Sequence, residues 1–293
     1  MAANTAYVRQ DAGRLFFSRR LGRERFAITA LAVVVSIIFL WPFFVVVANT
    51  FNSINAYMNP LLPWPKEFSM KAYELAFTKY KFQNYMVNTI LVVAATSTLG
   101  TLSCALAGYA LAKLQFAGRG IFFAIILAVM LLPTETMLVP QFVVVRDLGM
   151  VNTFWGVILP GLAGGAFGIF LMRQFMLQIP TEMLEAGRID GCSEFGLFTR
   201  IAMPLMKAPI LVLAILSVRT GWNSLLWPQI VLSEETKQLL MPAIVRVRSL
   251  TVADPHALVI SSGVAILGAL IPLAFYMYAQ RFFVSTLTGA IKG

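Results

Sequence analysis

Apolar residues run along this chain in long blocks, and polar residues gather between them. Six blocks approach the roughly 20 mostly apolar residues that a membrane-crossing helix needs. They are Ala27 to Ala48, Val87 to Ala112, Gly120 to Val144, Phe154 to Met172, Pro209 to Leu232 and Ala257 to Ala279. The alternating segments of about ten residues that build a membrane β-barrel are absent from the sequence. The pattern predicts an all-α membrane protein with six transmembrane helices. The first block outruns the apolar stretch of a signal peptide, about 7–15 residues, and no A-x-A site closes it, so it reads as an uncleaved anchor.

Composition agrees with the pattern. Of 293 residues, 59% are hydrophobic and 12% charged, against about 45–50% and 25% in soluble domains. That balance excludes an ordinary cytosolic enzyme, a disordered chain and a secreted disulfide scaffold. The net charge of +10 would suggest nucleic acid in a soluble protein. In a chain this apolar it is the surplus that membrane proteins collect in cytoplasmic loops, so the expected surroundings are membrane lipid, with no nucleic acid. With the N-terminus inside, the larger share of Lys and Arg, including Arg9, Arg14, Arg19, Arg20, Arg23 and Arg25, falls on the cytoplasmic side. Both termini are therefore expected in the cytoplasm of a multi-pass inner-membrane protein. Cys104 and Cys192 suggest no disulfide, and with His256 as the single histidine no metal site is expected.

Residues 1–26 read as a cytoplasmic segment, 27–280 as the transmembrane domain and 281–293 as a cytoplasmic tail. Two outer loops are long, Asn49 to Met86 and Ser233 to His256. In the first, Pro60, Pro63 and Pro65 predict an extended path before a short amphipathic helix around Met70 to Phe77. Each loop is either a solvated surface or a docking surface for an external partner.

The cytoplasmic loop from Arg173 to Ala208 is too long for a mere connection. Pro180 favours a helix start. Met183, Leu184 and Ala186 then give an apolar stripe interleaved with Glu182 and Glu185. Asp190-Gly191 is a turn dipeptide. Phe195, Phe198 and Ile201 recur as the apolar face of a second helix, which Pro204 and Pro209 are expected to end. The loop is a helix–turn–helix knob at the membrane's inner face, which another cytoplasmic protein could grip.

This knob resembles the EAA motif in permease subunits of binding-protein-dependent ABC importers. The motif stands here as Glu185-Ala186-Gly187, Asp190-Gly191 and Ile201-Ala202-Met203-Pro204. The likeness extends to Gln174-Phe175 before Ile179-Pro180, to Gly149-Met150-Val151-Asn152-Thr153 and Leu159-Pro160, to Trp222-Asn223 and Leu226-Trp227-Pro228, and to the end of the chain, Leu287 to Gly293. These matches cover roughly Asn88 to Gly293 and resemble the carbohydrate branch, of the maltose and glycerol-phosphate type. Gly187 stands where the family has a second alanine, which should loosen the first short helix by about 0.8–1 kcal/mol. Ser285-Thr286 stands where a glycine is expected before Leu287.

The resemblance implies a fold, a function and partners. The fold would be the six-helix ABC-importer permease with a coupling loop at 173–208. The function would be movement of a carbohydrate or related solute by alternating access. Glu185, Ala186, Gly187, Asp190 and Gly191 would form the ATPase-coupling knob, with Glu185 facing basic residues of the ATPase. The partners would be a second permease subunit, two ATPase subunits and an extracellular solute-binding protein. No Gly-x-x-x-x-Gly-Lys-Ser/Thr loop is present, so no cofactor is expected in this chain and ATP and Mg belong to the partner ATPase.

Several residues fall outside the motif. Arg219 lies near the middle of the fifth predicted span, where a charge costs about 2.5–3.5 kcal/mol, and Glu135 is the acid within the predicted spans. Either the two form an intramembrane ion pair or Arg219 lines the translocation path. Gly161, Gly164, Gly165 and Gly168 give Gly-x-x-x-Gly spacings that permit close helix contact. Trp222, Asn223 and Trp227 are candidate sugar contacts, the two indoles alternatively being interface anchors. A secondary transporter would need several intramembrane acids, and a membrane enzyme a convergent set of His, Asp or Glu.

Overall fold

The computed structural model describes residues 3–53, 67–162, 165–250 and 256–290, with side chains for 26–53, 67–162, 165–250 and 257–279 within them. The chain falls into two compact units, Met1–Ala72 and Tyr73–Gly293. Every regular element among the described residues is helical, apart from a single bridge between Asn52 and Phe68.

In the first unit, α1 (Ala3–Thr50) carries a stretch, Phe26–Thr50, with mean hydropathy 2.8 and none of its most apolar window buried. A helix so apolar with no protein cover of its own needs lipid or another chain around it. Its end is tied to Phe68 by the Asn52 bridge and by the stacked rings of Phe51 and Phe68. The proline-rich stretch 54–66 lies outside the described residues. The expected short amphipathic helix is present as α2 (Lys71–Thr78).

The second unit is organised on α3 (Phe82–Lys113). It continues through α4 (Arg119–Met130), α5 (Leu138–Asp147), α6 (Phe154–Leu162) and α7 (Gly165–Leu177). Next come α8 (Thr181–Ile189), α9 (Glu194–Leu197), a π-helical turn over Phe198–Ala202, α10 (Met203–Leu205) and α11 (Lys207–Trp222). The unit ends with α12 (Leu226–Val231), α13 (Leu240–Ser249) and α14 (His256–Ala290). Helix α3 packs against α6, α7, α11 and α13. Its fit against α6 and α7 rests on small residues. A Cβ on Gly108 would stand 2.6 Å from Met172 Cβ and 2.8 Å from the Arg173 backbone nitrogen. One on Gly168 would stand 2.5 Å from Cys104 Sγ, and one on Gly161 2.3 Å from a Thr96 methyl. Two of the predicted glycines, Gly161 and Gly168, thus hold α3 at close range. Gly165 instead starts α7 at φ 68, and Gly164 lies outside the described residues.

Among the described residues, four helical stretches are long and apolar enough to cross a membrane, and six if each of two bent pairs counts as one span. The third expected span is bent, and the fifth is preceded by a bend and interrupted after Trp222. The third breaks by 107° between Met130 and Thr134, because Pro133 supplies no N–H and keeps Leu132 from continuing the helix. The fifth enters through an 82° bend at Met206. Its helix stops at Trp222, where Asn223 Nδ2 donates to the Arg219 carbonyl, and α12 follows as a separate short helix. The prolines after the second knob helix also act otherwise than expected: Pro204 and Pro209 lie in the first turns of α10 and α11, where a missing N–H is harmless.

Candidate functional site

The predicted knob is an elbow made of α8 and α9. Helix α8 closes with a left-handed Gly191 at φ 82. The Cys192 N–H donates to the Gly187 carbonyl and the Gly191 N–H to the Arg188 carbonyl, both at 3.0 Å. This is a Schellman closure, and it explains the Asp190-Gly191 pair. Helix α9 opens with Ser193, whose Oγ accepts from the Gly196 N–H, an N-cap that satisfies one of the unpaired donors of the first turn. Arg188 locks the two arms: its Nε donates to Glu194 Oε1 at 2.7 Å. The Arg188 hydrogen bond, with the Tyr109 hydroxyl adding to it, holds the Glu194 carboxyl below the usual carboxylate range.

The elbow's buried face differs from the predicted stripe. Leu184 and Gly187 face inward from α8, and Leu197, Phe198 and Ala202 from the second arm. Met183 is 44% exposed, Ile189 87% and Phe195 67%. Of the threefold set, Phe198 is buried and Ile201 packs against the core as expected, while Phe195, on the α-helical turn before the π winding at Phe198, is exposed. Gly187 is buried, and a Cβ there would stand 2.6 Å from Leu197 Cδ2 and 2.9 Å from Ile201 Cδ1. The helix-weakening glycine therefore serves a close approach between the arms. Glu185, Ala186, Asp190 and Gly191 are exposed on the far side of the elbow. The outcome is a projection showing carboxylates beside exposed apolar side chains, a surface that can seat in a complementary protein cleft.

The elbow is fastened to the end of α3. Tyr109 OH donates to Glu194 Oε2 at 3.2 Å, and Lys113 Nζ donates to the Ile179 carbonyl. Two arginines satisfy the unpaired carbonyls at the same helix end: Arg119 donates to Ala112 and Leu114, Arg173 to Leu111. Cations there also complement the helix dipole. Arg173 additionally stacks 3.8 Å above the Phe123 ring.

At the opposite end of α3, the turn at residues 233–239 is pinned by a second polar set. Tyr85 OH donates to Glu235 Oε1 at 3.1 Å, and Arg246 Nη2 reaches the same carboxylate at 2.6 Å. Asn88 Nδ2 donates to the carbonyls of Thr236 and Gln238, and the Leu240 N–H donates to Thr89 Oγ1. Asn152, left-handed at φ 61, accepts from the Glu234 N–H through Oδ1, and its own N–H donates to the Val231 carbonyl. Sequence reasoning missed this set, although Asn152 in a Gly-Met-Val-Asn-Thr turn carried a signal for it.

The remaining candidates separate. Arg219 and Glu135 are both exposed, and no ion pair joins them. Arg219 lies in the last turn of α11 and not in mid-span, where its charge suits the helix C-terminus. Glu135 sits in the turn after the Pro133 break. Trp222 is 6% exposed, packed within the protein, so it is neither an interface anchor nor an open stacking face. Asn223 is spent capping α11. Trp227 is half-buried, and its Nε1 is a buried donor with no hydrogen-bond partner among the described residues. Cys104 and Cys192 form no disulfide. The side chains of His256 and of Leu287 to Gly293, the tail that carried part of the resemblance, lie outside the described set.

Comparisons with known proteins bear on this geometry. Residues 100–284 match the family model described as the binding-protein-dependent transport system inner membrane component. The chain is similar to the arabinooligosaccharides transport system permease protein AraQ of Bacillus subtilis (strain 168), at 31% identity over 92% of this chain and 96% of the relative. It is also similar to the sn-glycerol-3-phosphate transport system permease protein UgpE of Rhizobium meliloti (strain 1021), at 32% identity over 72% and 74%. In fold it matches a chain in the crystal structure of a bacterial ABC transporter involved in the import of the acidic polysaccharide alginate, with TM-score 0.73, 22% identity, and coverage of 87% and 94%.

Proposed function

The chain belongs to the binding-protein-dependent transport system inner membrane components, and from that membership we propose that it carries a carbohydrate or related polyol-like solute, driven by a separate ATPase seated on the α8–α9 elbow. It is a membrane permease subunit of an ATP-driven importer. Such a system works with a solute-binding protein and an ATPase. The finer composition proposed is a heterodimer with a second permease, two ATPase subunits holding ATP and Mg, and an extracellular binding protein. The elbow and both termini lie in the cytoplasm, a reading supported by the surplus of Lys and Arg on that side.

The observation that carries the reading is the elbow itself. Glu185 and Asp190 stand exposed beside Met183, Ile189 and Phe195 on a projection braced by Arg188–Glu194. Exposed apolar side chains rimmed by charge mark a protein-binding surface. A rigid projection transmits displacement, so closure of the ATPases becomes rigid-body movement of helices. The carbohydrate assignment is supported by the names of the relatives at 31–32% identity. The unspent Trp227 N–H is the proposed contact most suited to a sugar hydroxyl, because a desolvated donor without a partner gains from one.

Uptake tests the assignment of cargo. Cells with and without this chain are given radiolabelled mono- and oligosaccharides, glycerol 3-phosphate and amino acids. Loss of uptake of one carbohydrate or polyol phosphate on deletion, restored by the intact chain, is the expected result. Loss confined to an amino acid would overturn it.

A further inference from the structure

Both ends of α3 carry the same three-residue device. Near one end, buried Tyr85 shares the Glu235 carboxylate with Arg246 of α13. Near the other, buried Tyr109 shares the Glu194 carboxylate with Arg188 of α8. In each case a tyrosine rooted in α3 holds a carboxylate belonging to a different element, and an arginine holds the same carboxylate, at Oε1 alongside the tyrosine in Glu235 and through Oε1 opposite the tyrosine's Oε2 in Glu194. The two tyrosines stand about 36 Å apart along an α-helical axis at 1.5 Å per residue, close to the roughly 30 Å of a bilayer's hydrocarbon core.

The helix between them is built to move as one piece. It has no proline, and its last carbonyls are capped by Arg119 and Arg173. It lies against α6 and α7 at Gly161, Gly168 and Gly108 with no room for a methyl group.

We propose that Tyr109 and Tyr85 are positioning residues that pin the elbow and the 233–239 turn to opposite ends of one shaft, α3, so that displacement of the elbow is delivered across the membrane to that turn. The inference rests on the reading of the elbow as the ATPase seat. Tyr109 also packs its ring 5.4 Å from that of Phe198. Removing the hydroxyl alone leaves this packing in place and severs the polar link.

The test uses the full complex recovered from native membranes through an affinity tag on this chain. Hydrogen exchange of peptides covering 233–239 is followed with and without MgATP and orthovanadate, and ATP hydrolysis is measured in parallel. Wild type is expected to change its exchange at 233–239 when vanadate traps the nucleotide. Tyr109→Phe is expected to keep hydrolysis within twofold of wild type while that change shrinks at least fivefold. Tyr85→Phe is expected to keep the response at the elbow but exchange quickly at 233–239 in both states. If Tyr109→Phe does not assemble, Glu194→Ala, which removes the carboxylate that the Tyr109 hydroxyl holds, is expected to show the same shrinkage. A wild-type-sized response at 233–239 in the assembled variant overturns the proposal. So does a wild-type complex that hydrolyses ATP with no response there, while the proposed function stands. A tagged chain that brings down no ATPase overturns the proposed function itself.

Discussion

Glu235 shows how a single side chain ties distant parts of this chain together. Its carboxylate meets Arg246 at 2.6 Å and Tyr85 OH at 3.1 Å. The Arg246 hydrogen bond and charge hold its pKa below the usual carboxylate range, with Tyr85 adding to them. A lowered folded-state value means that the stabilisation is complete above the unfolded value, about 4.3, and is lost as the pH falls through the folded one. The side chain is 65% exposed, so solvent limits the contribution to about 0.2–1 kcal/mol. Thermal unfolding in detergent between pH 7 and pH 3 is expected to show wild type losing more stability on acidification than Glu235→Gln. Parallel curves would contradict this. None of the partnership was legible in the sequence, because Tyr85, Glu235 and Arg246 are brought together only by the fold. Asp190-Gly191, by contrast, announced its turn, since the left-handed conformation at Gly191 is a local property of the residue.

At the scale of elements, two glycines of similar burial make different demands. At Gly108 a methyl group would strike the Arg173 backbone nitrogen and Met172 Cβ, whereas at Gly187 it would strike the mobile ends of Leu197 and Ile201. Overpacking that must move backbone costs about 1–3 kcal/mol. Gly108→Ala is therefore expected to lower the unfolding free energy by at least about 1 kcal/mol. Gly187→Ala should stay within about 1 kcal/mol of wild type, because better helix propensity offsets a small side-chain shift. Unfolding midpoints of the two variants in one detergent check the order, and equal losses would contradict it. The same contrast marks what sequence pattern could reach. Long apolar blocks revealed where helices lie, since burial in lipid requires them. The 107° and 82° bends were hidden because hydropathy does not record direction. Pro133 carried the signal for the first bend. The π turn at Phe198 had no local signal, and the spacing did not reveal that Phe195 is exposed while Phe198 is buried.

For the whole molecule, Tyr109 and Tyr85 of α3 reach the elbow and the 233–239 turn respectively, the contacts on which the proposed route rests. The elbow stood out in the sequence because its length and turn chemistry exceed what a connection needs. Its anchorage on Tyr109 did not, because that contact joins residues far apart in the chain. By the proposed function, an ATPase in another polypeptide drives α3 through the elbow. The most direct measurement of this is ATP-dependent solute uptake by proteoliposomes holding the complex, with wild type compared against Glu185→Lys. The exposed position of Glu185 predicts that the variant inserts normally while uptake falls at least tenfold. Uptake at the wild-type rate by inserted Glu185→Lys, or by a complex stripped of its ATPase, would contradict the account.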